Sequence, residues 1–265
     1  MRPKKPTAAC SQEMLRSFET CHKTCKGPVI ILASGQSARH FDLAHFPDVP
    51  VIAMNGSVSM LMGTPIKPFF YVCSDLDFPN QQPELYAWAL QHSNNLLLWP
   101  ERLQEHDIPP VTNRYPLFKA RALSLEDWLG TGSLVRSWTF WSKRGRSIGF
   151  SRNLSKGFFD ARTVAYVALQ LACHLGFSEV FLVGVDLDQS VGRFYETGQT
   201  GHSPCGLDQH WERRILPSLA LMRQRVIDDR FQVYNLSATS RVPTSVIPKI
   251  DVAQARALVA RHLPG

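Results

Sequence analysis

Four apolar runs in this chain end on small or polar residues whose types could handle a charged ligand. Val29-Ile30-Ile31-Leu32-Ala33 ends in Ser34-Gly35-Gln36-Ser37, and Val51-Ile52-Ala53-Met54 ends in Asn55-Gly56-Ser57. Phe69-Phe70-Tyr71-Val72-Cys73 ends in Ser74-Asp75-Leu76-Asp77, and Val180-Phe181-Leu182-Val183 runs into Gly184-Val185-Asp186-Leu187-Asp188. A glycine at such a tip lets backbone N–H groups approach a phosphate. The Ser34-Gly35 turn lacks the three-glycine dinucleotide fingerprint and the Walker lysine, so it gains meaning from Asn55 and Asp75 at matching ends of neighbouring runs. The two D-x-D pairs offer hard oxygen ligands of the kind that hold Mg²⁺ or Mn²⁺ against a diphosphate. In extended chain, however, one carboxylate of each pair faces away from the other. A strand-end carboxylate equally suits a sugar hydroxyl or general-base work, so no metal ligand is assigned and a divalent metal is not favoured.

Ser155-Lys156-Gly157 precedes Asp160, which reads as the N-cap of a helix carrying Val164, Val167, Ala168, Leu171, Ala172 and Leu175, stopped by Gly176. Its hydroxyl and N–H groups would meet a phosphate at the positive end of that helix. Farther on, Arg193-Phe194-Tyr195-Glu196 leads to Gly201-His202-Ser203 and His210. A histidine there suits proton transfer from an acceptor hydroxyl, and Asp186, Asp188 and Glu196 are the carboxylate alternatives; an ordinary loop histidine is the competing reading. His174, on the helix, reads as structural. Neither a G-x-S-x-G elbow nor H-E-x-x-H occurs, against common hydrolases and zincins.

The elements that would position these residues form an α/β fold: a single Rossmann-like, doubly wound, mostly parallel sheet with an inserted irregular subdomain. In open sheets of this class, ligands bind outside the carboxyl ends of the strands. Residues 1–26 read as a basic N-terminal arm, 27–250 as the main domain with the Trp-, Pro- and Arg-rich insertion at about 81–150, and 251–265 as a C-terminal tail helix. Residues 207–229 predict a helix kinked at Pro217, and 231–237 a late strand. With 265 residues, 44% of them hydrophobic and 19% charged, the chain can bury a substantial core, which excludes disorder, collagen and small disulfide scaffolds. The six scattered cysteines make no disulfide framework and suit a reducing, cytoplasmic setting. No apolar run approaches the roughly 20 residues needed to span a bilayer. Lys plus Arg outnumber Asp plus Glu by 29 to 22, so an anionic partner is expected. Residues 136–162 interleave Arg136, Lys143, Arg144, Arg146, Arg152, Lys156 and Arg162 with Trp138, Phe140, Trp141, Phe150, Phe158 and Phe159. That mixture suits anionic lipid head groups at a membrane face; no nucleic-acid motif accompanies it, and a basic loop whose aromatics belong to the core is the plainer alternative.

Together the runs around Ser34, Asn55, Asp75, Ser155-Lys156-Gly157-Phe158, Gly184-Val185-Asp186-Leu187, Arg193-Phe194-Tyr195-Glu196 and Tyr234-Asn235-Leu236-Ser237 resemble, in order over about 27–250, the WaaZ-type lipopolysaccharide core proteins. More distantly, the first turn, the Asn55 strand end and the Ser-x-Gly element are similar to bacterial CMP-sialic acid sialyltransferases of family 42. The resemblance implies a glycosyltransferase of GT-A-like fold, with a nucleotide-sugar transferase domain over 27–250, moving 3-deoxy-manno-octulosonic acid (Kdo) from CMP-Kdo as donor substrate to a lipid A-core oligosaccharide at the inner face of the cytoplasmic membrane; it fixes no cofactor. It implies that Ser34, Gly35, Asn55, Ser155 and Gly157 contact CMP, that Tyr195 lies near the phosphate and that His202 is the base. The alternatives are a nucleotide-dependent pyrophosphokinase on a related fold and a non-catalytic, basic lipopolysaccharide-binding module.

Overall fold

The computed structural model describes residues 15–105, 107–121, 132–137, 145, 147–196 and 206–262. Seven strands make one sheet: β1 (Pro28–Leu32), β2 (Val51–Met54), β3 (Phe70–Cys73), β4 (Asn95–Leu98), β5 (Asn113–Pro116), β8 (Glu179–Val183) and β9 (Gln232–Asn235). Their order is β5-β4-β3-β2-β1-β8-β9 and every pairing is parallel. The order reverses at β1, which pairs β2 on one side and β8 on the other, so the topological switch point lies between β1 and β8. In register, Leu32 stands opposite both Ala53 and Val183, so the polar residues that follow leave the sheet side by side.

The β-branched runs are continuous because both faces are covered. Val29 and Ile31 enter a core with α3 (Val164–Leu175), whereas Ile30 and Leu32 enter the opposite core with Tyr86, Ala89 and Leu90 of α2 (Pro83–His92). Burial of each such side chain stabilises the fold by about 1.5–3 kcal/mol. Helix α3 stops at Gly176 as expected, in the left-handed conformation at φ 98° with its N–H on Ala172 O at 3.2 Å. Its start differs from expectation. The N-cap is Thr163; Asp160 is held outside the helix by Lys119 Nζ at 3.0 Å and the Arg162 N–H at 2.8 Å.

Residues 81–150 are less separate than the sequence suggests. The short helix α1 (Phe78–Gln81), α2, β4 and β5 extend the main sheet, and the described part outside it is an antiparallel hairpin of β6 (Leu134–Arg136) and β7 (Gly149–Ser151). The predicted helix over 207–229 divides into α4 (Leu207–His210), a π-helical turn Trp211–Ile215 and α5 (Leu216–Arg225). Pro217 has no N–H and its ring crowds the preceding turn, and the wider turn just before it relieves that conflict. The late strand is β9, and the tail helix is α6 (Val252–Ala260), with Asp251 and Gln254 as a capping box. The described end of the basic arm is packed: Leu15 bridges Arg114, and Phe18 and Cys21 are buried. Among the described residues, Cys21, Cys25, Cys73 and Cys173 are free thiols, and no helix is long and apolar enough to cross a membrane.

Candidate functional site

A cavity of about 580 Å³ opens at the carboxyl edge of the sheet, over the switch point. The tips of β1, β2, β3 and β8, the amino end of α3, the segment at Arg193 and Glu196, and α4 line it.

The floor is built by close backbone approach. The Gly35 N–H donates to Gly184 O at 2.9 Å, and a Cβ at Gly35 would lie 2.5 Å from both Gly184 O and Asp186 Oδ2. Only glycine fits there. The buried Asp186 carboxylate accepts from the Ser37 N–H at 3.0 Å, from the Ser37 hydroxyl and from the Ser237 hydroxyl at 2.6 Å. It therefore ties the turn after β1 to the end of β9. Leu187 adopts φ 52°, a left-handed conformation costing about 1–2 kcal/mol, and this turns the chain between Asp186 and Asp188. Asp188 lines the cavity and accepts from the Ser190 hydroxyl and N–H, which hold its carboxyl below the usual range.

Asn55, also left-handed at φ 45°, lines the cavity with a buried Oδ1 that lacks a hydrogen-bond partner. Beside it the Tyr195 ring lies on Gly56, where a Cβ would come within 2.2 Å of the ring. Burial raises the Tyr195 phenol above its ordinary range, against the opposing pull of the Arg193 guanidinium. The Arg193 segment adds a short antiparallel bridge to Gly35, and the Phe194 N–H reaches Ser34 O at 3.1 Å. Glu196 accepts from the Arg193 N–H at 3.1 Å and its guanidinium at 3.2 Å.

Arg162, Thr163, Val164 and Ala165 bring the amino end of α3 to the cavity. The Thr163 side chain makes no cap hydrogen bond; the Tyr166 N–H donates to Thr163 O at 3.1 Å, so the Val164 and Ala165 N–H groups are the ones that could face an anion. On the far wall, His210 closes α4. Arg241 fixes that wall: its N–H reaches Asp186 O at 2.8 Å, its guanidinium pairs with Asp208, and it stacks over Trp211 at 4.5 Å.

The cavity thus brings together Ser34, Gly35, Asn55, Asp75, Asp186 and Glu196, with Tyr195 directly behind Asn55 and Gly56. Ser155 and Gly157 are not among its lining residues. They form a three-ten turn (Leu154–Lys156) and its cap, where Gly157 has φ 87° and a Cβ would meet Ala120 N at 2.6 Å. The glycine serves a backbone crossing. His202 lies outside the described residues, as do Trp138, Phe140, Trp141, Lys143, Arg144 and Arg146. Phe150, Phe158 and Phe159 are core, with Arg136 over Phe159 at 4.9 Å. Arg162 and Thr163, not expected at the site, line it as well; the threonine directly before the helical run was the available signal. Of the D-x-D carboxylates, Asp75, Asp186 and Asp188 line the cavity, Asp186 with its oxygens engaged by Ser37 and Ser237, and Asp77 is exposed ahead of α1. No group of three potential metal ligands occurs among the described residues.

A family model described as 3-deoxy-D-manno-octulosonic acid transferase WaaZ matches residues 134–253. A probable 3-deoxy-manno-octulosonic acid transferase of Salmonella typhimurium is 28% identical over 85% of this chain and 87% of its own length. One of Escherichia coli K12 is 28% identical over 84% and 82% respectively. The chain is thus similar in sequence to proteins described as probable Kdo transferases. The WaaZ-matched span carries the α3 amino end, Asp186, Asp188, Glu196, His210 and Arg241, and the full-length relatives extend the likeness over most of the chain. Among solved structures, the MAf glycosyltransferase from Magnetospirillum magneticum AMB-1 aligns over 95% of this chain and 40% of its own, with 13% identity and a TM-score of 0.48. The fold assignment rests on the sheet itself.

Proposed function

We propose that this protein is a glycosyltransferase that moves Kdo from CMP-Kdo onto a lipid-linked inner-core acceptor of lipopolysaccharide. The observation that carries the reading is the cavity at the β1/β8 switch point, walled by a glycine turn and the open amino end of α3, in a chain related to probable Kdo transferases over most of its length. CMP's phosphate would lie against the first-turn N–H groups of α3 and the Gly35 turn, with Asn55 Oδ1 available to a donor group of the nucleotide. The acceptor oxygen bonds to the anomeric carbon, the bond from that carbon to the phosphate oxygen breaks, and CMP leaves with the electron pair. The acceptor's proton passes to a base. Asp186 and Glu196 already accept several hydrogen bonds each, so His210 is assigned that role. Asp186 positions the floor. Attack from the face opposite CMP inverts the anomeric carbon.

The acceptor places the protein at the inner face of the cytoplasmic membrane, where the basic segment over 136–162 would meet anionic head groups. No observation favours a pyrophosphokinase or a non-catalytic lipopolysaccharide-binding module. Purified protein incubated with CMP-Kdo and Kdo-bearing lipid A is expected to release CMP and add one Kdo to the acceptor. No transfer to any of several such acceptors would overturn the reading.

A further inference from the structure

The cavity is unevenly charged. Asp75, Asp186, Asp188 and Glu196 belong to the strand-end side, whereas Arg162 stands with the first residues of α3. Arg193, the other lining arginine, is paired with Glu196. Arg162 touches its acidic neighbour through its main chain: Asp160 accepts the Arg162 N–H at 2.8 Å, and Lys119 Nζ completes that carboxylate at 3.0 Å. Among the described residues, Arg162 is therefore the lining cation whose guanidinium no carboxylate holds, and it is exposed. Arg214, partly buried nearby, feels both the Arg162 and Asp160 charges. Of the residues in this cluster around Asp160, Arg162 is the one that lines the cavity.

A CMP-ulosonate brings two anions to such a site, the phosphate and a carboxylate borne on the reacting carbon itself. Backbone N–H groups of the α3 first turn suit the tetrahedral phosphate. A planar carboxylate matches the fork of a guanidinium, which fixes orientation as well as charge. We propose that Arg162 binds the donor's carboxylate and so selects ulosonate donors over nucleotide sugars that lack one. This rests on the Kdo-transferase reading above. The Arg162 backbone is left-handed, φ 66°, just before the helix.

Calorimetric titration without acceptor, using CMP-Kdo and CMP as separate ligands, tests the assignment. Wild-type protein is expected to bind both. Arg162→Gln and Arg162→Gly are expected to weaken CMP-Kdo about 10- to 100-fold while changing CMP by less than about 2-fold. Glycine adopts the left-handed conformation without steric cost, so its loss of binding is not a folding defect. Arg162→Lys should fall between, because it keeps charge without the fork. Equal weakening of both ligands would make Arg162 a phosphate ligand and overturn the proposal, as would unchanged CMP-Kdo binding. Wild-type protein that binds neither ligand overturns the Kdo-transferase reading itself, and the proposal with it.

Discussion

His210 ends α4 directly before the π-helical turn, with Asp208 and Trp211 on either side of it held by Arg241. A histidine on a wall so fixed is placed to receive the acceptor's proton. His210→Gln is expected to lower kcat by about 10²–10⁴-fold with little change in KM for CMP-Kdo. A variant that keeps wild-type kcat would return the base to another residue. Single residues were unevenly legible from sequence. Gly35 and Asn55 were readable because a small or polar residue after a buried run has few other uses. Ser155-Lys156-Gly157 lies off the cavity lining, and a left-handed glycine beside a crossing backbone looks, in sequence, like one beside a phosphate.

Helix α3 joins the site to the far side of the molecule. Its first residues face the cavity, and near its last turn His174 is fully buried, with Nδ1 accepting the Leu154 N–H at 3.2 Å and Nε2 at 3.0 Å from Phe18 O. Burial lowers this imidazole to about 4, and the neighbouring His22 acts in the same direction. The unfolded chain therefore binds the proton first. Stability should be complete above about pH 6.5 and decline by about 3 kcal/mol as pH falls toward 4. Urea unfolding across that window checks this, and His174→Asn, though less stable, should show a shallower slope. The two ends of α3 also show what sequence reveals of an element. Gly176 marks its stop plainly, but Asp160 imitates a cap while its carboxylate is engaged by Lys119 and Arg162. Strands β1, β2, β3 and β8 were legible as apolar runs. Edge strand β5 was not, because its Asn113-Arg114-Tyr115-Pro116 buries a guanidinium that bonds Leu103 O and Ile108 O.

At the scale of the whole molecule, a formal charge of +7 coexists with a cavity containing more acids than bases, so the excess lies elsewhere on the chain. Binding to phosphatidylcholine vesicles containing phosphatidylglycerol is expected, weakening as salt rises, with little binding to phosphatidylcholine alone. Combined Arg144→Gln and Arg146→Gln substitution should weaken sedimentation with the anionic vesicles; equal sedimentation would remove the 136–162 segment from membrane contact. The site itself is assembled from distant parts of the chain, and the Tyr195 ring resting on Gly56 is its tightest join. Neither position can change alone: any side chain at 56 would displace the ring, and a smaller residue at 195 would open a gap over the end of β2. Across related sequences, the two positions are thus bound to vary as a pair, glycine with an aromatic ring or a bulkier residue with a small one.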